Sequence, residues 1–381
     1  MTGPALVLAT ALAGVSLAIW LVLTFCRGRF WRTSIRLPMP VDPPEGDAWP
    51  SVVAVVPARD EAAVLPRTLP TLLRQRYPGS WRVLVVDDDS ADSTGALARE
   101  LGADVVAGSG PPPGWAGKVA AMQRGVEAAG TPDYLLFTDA DIAFPSDAVR
   151  QLVCAARGNA LVLTSQMVRL RAESRWERLV VPAFVYFFTQ LYPFALVNKP
   201  GRTAAAAGGC MLVDRAALLR AGGLPRIAGA LIDDVALGRL LKPHGPIWLS
   251  LSADIVSVRP YPRLADLWAM VVRSAYTQLR YSPLLLGATV LGLLVTYLVP
   301  PVVLVAGAAA GAVLPALLAG IGWLIMTLTY VPMLRFYGVA PVAALLLPVV
   351  AALYLAMTVD SARRHAVGRG GAWKGRVAQR P

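Results

Sequence analysis

The sequence predicts an α/β fold: a Rossmann-like, mostly parallel sheet in a middle domain, with transmembrane helices at the N-terminal and C-terminal ends. Three observations carry this. Residues 5–25 hold no charged side chain, and between Leu284 and Val359 only Arg335 is charged; roughly 20 apolar residues suffice for a helix to cross a bilayer. The stretch between these regions, about residues 45 to 283, has the composition of a globular chain long enough for its own core. Within it, continuous apolar runs alternate with helical patterns, as in parallel sheets covered on both faces.

The elements follow in chain order. Residues 1–36 read as an anchor with a basic flank. Positive charge follows the apolar run, at Arg27, Arg29, Arg32 and Arg36, and does not precede it. That order fits an uncleaved anchor and not a signal peptide, and it places the middle domain in the cytoplasm. A linker over 37–50 contains Pro38, Pro40, Pro43, Pro44 and Pro50 and should be extended. "SVVAVVPA" (51–58) reads as a strand and "EAAVLPRTLPTLLRQR" as a helix. "RVLVVD" (82–87) is a second strand. "SADSTGALARELG" is a helix with capping residues at its start and Gly102 at its end. "ADVVAG" is a third strand, "GKVAAMQRGVEAA" a helix and "YLLFTDAD" a further strand. Residues 51–283 should form the globular domain. Three spans are expected at about 284–306, 313–333 and 341–359, then a basic tail over 360–381. Three spans leave that tail outside, whereas its charge argues for inside; a re-entrant segment near Pro300 and Pro301 would reconcile the two.

The chain carries 36 Lys+Arg against 24 Asp+Glu, a net charge of +12. No nucleic-acid motif accompanies it. Four arginines follow the first span, and Arg363, Arg364, Arg369, Lys374, Arg376 and Arg380 crowd the tail. Anionic lipid headgroups are the better match. Cys26, Cys154 and Cys210 are far apart, and His244 and His365 are the two histidines. A zinc site or a Cys–His nucleophile has little to build on.

The acids are placed where a parallel sheet binds ligands, at strand carboxyl ends. Asp60 and Glu61 follow the first strand, Asp87, Asp88 and Asp89 end the second, and Asp139 and Asp141 end "YLLFTDAD". So many carboxylates repel one another unless a cation or hydrogen-bond donors compensate. Two carboxylates spaced D-x-D can present oxygens to Mg²⁺ or Mn²⁺ while leaving room for substrate phosphates. A capping role is the other reading, and for Asp92 it is the preferred one.

"VVPARDE", "VVDDDSADST", "GKVAAMQRG" and "FTDAD" resemble, in order and spacing, the motifs of the family 2 inverting glycosyltransferases with the GT-A fold. The resemblance covers about residues 50–283. "GWAGK" and "YPFALV…AAAAGGCMLV" resemble more narrowly the hopene-associated glycosyltransferases. The resemblance implies a nucleotide-sugar donor, Mg²⁺ or Mn²⁺, a membrane lipid acceptor and a bacterial inner-membrane location. It puts Pro57, Arg59, Asp60, Glu61 and Asp88 at the nucleotide, Asp139 and Asp141 on the metal, with Asp141 the firmer ligand, and Lys118 near the diphosphate. "LIDDVALGRLLK" matches the family's acidic motif, so Asp234 would be the general base beside Asp233. Asp233 could cap the helix while Asp234 reacts. "AYTQLRYSP" is a weakened QxxRW motif. Arg280 matches its Arg, Tyr281 stands in place of Trp and Gln278 is one position off, which leaves the acceptor site in doubt. Asp89 replaces the Gly of "DDGS", a change the turn should tolerate.

The aromatic run 179–197 is expected to lie along the membrane interface beside the acceptor, or else to be an ordinary core helix. A crossing there would separate Asp234 from Asp139. A polyprenyl-phosphate glycosyltransferase is the nearest alternative. A D-x-D phosphohydrolase would want Thr or Val where Ala143 and Ala91 stand.

Overall fold

The structure is a computed structural model that describes residues 3–42 and 48–368, and the backbone of residues 372–373 and 376–377. Pro43 and Pro44 of the linker and the side chains of Arg369, Lys374, Arg376 and Arg380 lie outside the described residues. The chain divides into two units. A sheet unit takes Ser34–Arg171 and Leu196–Pro260. A helical unit takes the chain up to Thr33, Ala172–Ala195 and Tyr261–Gly370. The expected unbroken domain over 51–283 is therefore interrupted, because residues 172–195 and 261–283 pack with the apolar helices.

Eight strands form one sheet: β1 (Val52–Ala58), β2 (Trp81–Asp87), β3 (Asp104–Ala107), β4 (Tyr134–Phe137), β5 (Ile142–Ala143), β6 (Leu163–Arg169), β7 (Met211–Asp214) and β8 (Ile247–Ser257). Their order is β3-β2-β1-β4-β7-β6-β8-β5. The β3-β2-β1-β4 half is parallel throughout. β7 pairs antiparallel with both β4 and β6, β6 runs parallel to β8, and β5 closes the edge antiparallel to β8. Every residue of β1 is buried, which is why its sequence is an uninterrupted apolar run. Helices Leu65–Leu73, Thr94–Glu100 and Gly117–Ala128 connect the parallel strands. The last lies so close to β1 that a Cβ on Gly125 would come within 2.2 Å of Val55.

The chain goes from β1 to β2 and β3 on one side and then crosses to β4 on the other. The β1/β4 boundary is thus a topological switch point, where connecting loops diverge and leave a crevice at the carboxyl ends. The linker is extended as expected, and it is pinned. Ile35 O accepts from Leu251 N at 3.1 Å, Arg36 O from the Trp248 indole at 3.0 Å, and Asp42 pairs with Arg150.

Among the described residues, five helical stretches are long and apolar enough to cross a membrane: Gly3–Cys26, Arg175–Val197, Pro283–Ala309, Val313–Phe336 and Pro341–Ala366. Helix Pro283–Ala309 continues through a π-turn at Leu294–Leu298. That turn lies directly before Pro300 and Pro301, whose missing N–H groups it accommodates, so the prolines do not turn the chain back. The aromatic run, expected either along the interface or as an ordinary core helix, is a packed helix, Arg175–Leu191. Tyr186 is fully buried, its hydroxyl 2.9 Å from Thr329, and Phe187 contacts Tyr297 and Tyr354 edge to face. Arg27 of the basic flank donates to the carbonyls of Gln190 and Leu191 at the end of that helix, so this charge is used inside the unit.

Candidate active site

The turns after β1 and β2 lock onto each other. The Arg59 guanidinium donates to the carbonyls of Asp88 at 2.6 Å and Asp89 at 3.0 Å. Asp60 accepts from Ala91 N at 2.7 Å and Glu61 N donates to Thr94 Oγ1 at 2.8 Å. Asp60 and Asp89 both have left-handed backbones, φ +50° and +56°. Asp89 thus keeps the turn that glycine usually supplies, as aspartate's short polar side chain permits. Asp92 accepts from Ala62 N and Thr94 N, confirming a turn-building role at the helix start. Asp88 is fully buried, 3.6 Å from the Arg124 guanidinium, and Pro57 lies buried within β1. Of the residues expected at the nucleotide, these four hold the two turns together.

Lys118, at the start of helix Gly117–Ala128, gathers the next group. Its Nζ lies 2.8 Å from Asp139 and 3.1 Å from Asp233. Burial works against charge on this lysine, yet Asp139 and Asp233 outweigh it and hold the ammonium above the ordinary lysine range. Asp233 and Asp234 open helix Asp233–Leu241, whose N-terminal dipole favours carboxylates. The expected capping by Asp233 is not seen. Ile232 occupies the cap position, Asp233 reaches out to Lys118, and Asp234 accepts the backbone N–H of Val235 at 2.7 Å and of Gly208 at 2.9 Å. Burial, reinforced by Asp233, pushes the Asp234 carboxyl up to about 7 against the pull of Lys118. Gly208 faces this group closely, since a Cβ there would lie 3.1 Å from Lys118 Nζ and 3.5 Å from Asp234 Oδ2.

Asp141 differs from Asp139 in its surroundings. The Asp139 side chain is 39% exposed, that of Asp141 11%. The β5–β8 register sets Ile142 opposite Ser257. Asp141 Oδ2 there accepts from Ser257 Oγ at 2.9 Å and from Arg259 Nε at 3.0 Å. Arg259 Nη2 donates to both Glu61 oxygens at 2.7 Å. Burial raises the Asp141 carboxyl and Arg259 opposes the rise. The crevice therefore collects Glu61, Asp139, Asp141, Asp233 and Asp234 around two cations, Lys118 and Arg259. Sequence reasoning missed Arg259, Ser257, Arg124 and Gly208. Gly208 and Arg124 lay within quoted blocks, but no motif marks Arg259 or Ser257.

Among the described residues no group of three His, Cys, Asp or Glu side chains forms a cage for a metal. The D-x-D pair still fits a hard divalent cation. It offers oxygen donors, more acids than bases surround it, and Asp139 is open to solvent. Such ions commonly take one or two carboxylates and draw their remaining ligands from phosphate and water.

Arg280, Tyr281 and Gln278 belong to the helical unit. Arg280 and Tyr281 are both left-handed, φ +52° and +56°. The Tyr281 ring stacks on His365 at 4.4 Å, and Gln278 donates to the Tyr192 hydroxyl.

Residues 53–220 match the model of the family described as Glycosyl transferase family 2. The chain is 39% identical over 102 residues to the 4,4'-diaponeurosporenoate glycosyltransferase of Staphylococcus haemolyticus, covering 26% of each chain. It is 36% identical over 105 residues to the Staphylococcus aureus protein of that name, covering 27% of each. The chain thus spans about a quarter of the length of these relatives. The mannosyltransferase PcManGT from Pyrobaculum calidifontis, solved with GDP-Man and Mn²⁺, is 21% identical with a TM-score of 0.58, over 96% of this chain and 98% of that one. That likeness is one of fold and covers nearly the whole length of both chains.

Proposed function

We propose that the chain is a membrane-bound inverting glycosyltransferase that moves a sugar from a nucleoside-diphosphate donor, uridine-linked by resemblance, to an apolar lipid of isoprenoid origin. One observation carries this: Lys118, Asp139, Asp233 and Asp234 converge from separate elements on the carboxyl edge of the sheet. The family 2 segment and the helices long enough to span a membrane support it. The relatives' name points to a carotenoid-type acceptor; the narrower motif resemblance points to a hopanoid. Both are polyisoprenoid products.

In this mechanism Asp234 takes the proton of the acceptor hydroxyl as the oxygen attacks the anomeric carbon. The bond from that carbon to the diphosphate breaks on the opposite face, so configuration inverts. Gly208 N and Val235 N hold the Asp234 carboxylate in place. Lys118 supplies a point charge to the departing diphosphate. Asp139, with Asp141 behind it, would hold Mg²⁺ or Mn²⁺, which neutralises the leaving group when bound. The catalytic domain faces the cytoplasm of a bacterial inner membrane in this proposal, where nucleotide-sugars are made.

The test is transfer itself. Full-length protein in detergent, given UDP- or GDP-sugars, a divalent ion and a bacterial lipid extract, should add a hexose-sized or amino-sugar-sized mass to an extract lipid. Nucleoside diphosphate release should require both ion and lipid. A lipid profile identical with and without protein across all donors overturns the proposal.

A further inference from the structure

Arg259 stands out because three strand ends meet on one side chain. Glu61 follows β1, Asp141 precedes β5 and Arg259 follows β8. Its guanidinium uses two separate edges. Nη2 straddles the Glu61 carboxylate at 2.7 Å to each oxygen, and Nε reaches Asp141 Oδ2 at 3.0 Å. Ser257, two residues earlier on the same segment, places its hydroxyl on that same oxygen at 2.9 Å. Both acids are nearly buried, Glu61 at 7% and Asp141 at 8% exposure. Glu61 is itself fixed, since its carbonyl accepts from Val64 N and Leu65 N at the start of helix Leu65–Leu73. A planar fork held on a fixed acid is a rigid support, which the point charge of a lysine cannot reproduce.

We propose that Arg259 is a positioning residue for the donor site: anchored on Glu61, it immobilises Oδ2 of Asp141 together with Ser257 and turns Oδ1 toward the cation that Asp139 holds. The proposal rests on the donor-site reading above. Hydrogen-bonded partners behind metal-binding carboxylates typically contribute about 10–100-fold to metal affinity. Arg259 also sets a positive charge between two acids that would otherwise repel each other.

The experiment titrates Mn²⁺ by electron paramagnetic resonance into the full chain with saturating UDP, and in parallel GDP. Wild type, Arg259→Lys, Ser257→Ala and Asp139→Asn are compared, with melting temperatures recorded without Mn²⁺ to confirm folding. Arg259→Lys should weaken Mn²⁺ binding about 10–100-fold although charge is kept, and Ser257→Ala should weaken it several-fold. Asp139→Asn should lose binding. Wild-type affinity in Arg259→Lys overturns the proposal, and tighter binding there does so too, because the guanidinium would then compete with the ion. If Arg259→Lys does not fold, Ser257→Ala decides alone, and wild-type affinity in that variant is equally fatal. Wild-type protein that binds no Mn²⁺ with either nucleotide overturns the donor-site reading itself, an outcome distinct from wild-type-like variants.

Discussion

The two cations of the crevice organise two different neighbourhoods. Lys118 lies between Asp139 and Asp233, beside the open Gly208, and one of its partners is well exposed. Arg259 lies between Glu61 and Asp141, both nearly buried. Both clusters join acids to a base, yet only the first has a surface to offer a substrate. Two aspartates one residue apart thus have different surroundings: Asp139 is open to solvent, and Asp141 is held by Ser257 and Arg259. Identical side chains in a short motif are sorted by what folds behind them.

The largest expected effect tests the Lys118 side. Asp234→Asn should lower kcat by about 10²–10⁴ if the acceptor is a hydroxyl, with donor binding by calorimetry nearly unchanged. Retained turnover would remove Asp234 as base and favour an acceptor that is already a carboxylate, as the name of the staphylococcal relatives describes. Next comes the contrast itself. Asp139→Asn should lower metal-dependent turnover by more than the about 100-fold that partners behind a metal ligand can contribute, with an unchanged melting curve. Asp141→Asn should cost about 1–3 kcal/mol of stability, because Arg259 and Ser257 keep a weaker acceptor. Equal stability in the two variants would erase the distinction. A smaller, graded effect is expected from pH. The Asp234 carboxyl is raised to about 7, so it is protonated and inactive as a base below that value. Initial rates should fall about tenfold per unit below pH 7, and Asp234→Asn should flatten that limb. Smallest is Gly208→Ala. Its methyl group would press on Lys118 and Asp234, and kcat should fall roughly three- to tenfold by displacing them. Unchanged kcat would mean the crevice has slack at this point.

The parallel half of the sheet was legible because burial on both faces writes itself as unbroken apolar runs, as in β1. The helix Gly117–Ala128 was legible to within a residue. Asp139, Asp141, Lys118 and the 233–234 pair were legible because strand ends and helix starts are local features. Arg259 was not, since Glu61 is 198 residues away from it in sequence and β8 carries no sign of where its end will lie. The resemblance assigns Arg59 and Asp88 to a ligand; that the Arg59 guanidinium also meets the Asp88 carbonyl and ties turn to turn was not legible in the sequence. The interleaving of the two units also escaped detection. Apolar composition gives a helix's length, but its neighbours are a matter of tertiary packing. Phe187 needs Tyr297 and Tyr354, more than a hundred residues further on, to become a core residue.

The turn after β2 has a consequence for recognition of such chains. Its left-handed position is filled by Asp89 and the bend is intact. Backbone angle, not side-chain identity, is what this position must satisfy. A search pattern that insists on glycine there would pass over this protein, whereas one written in allowed φ values would retain it. Position 89 can therefore exchange among aspartate, asparagine and glycine, and so gain or lose a charge, while the strand beneath keeps its path.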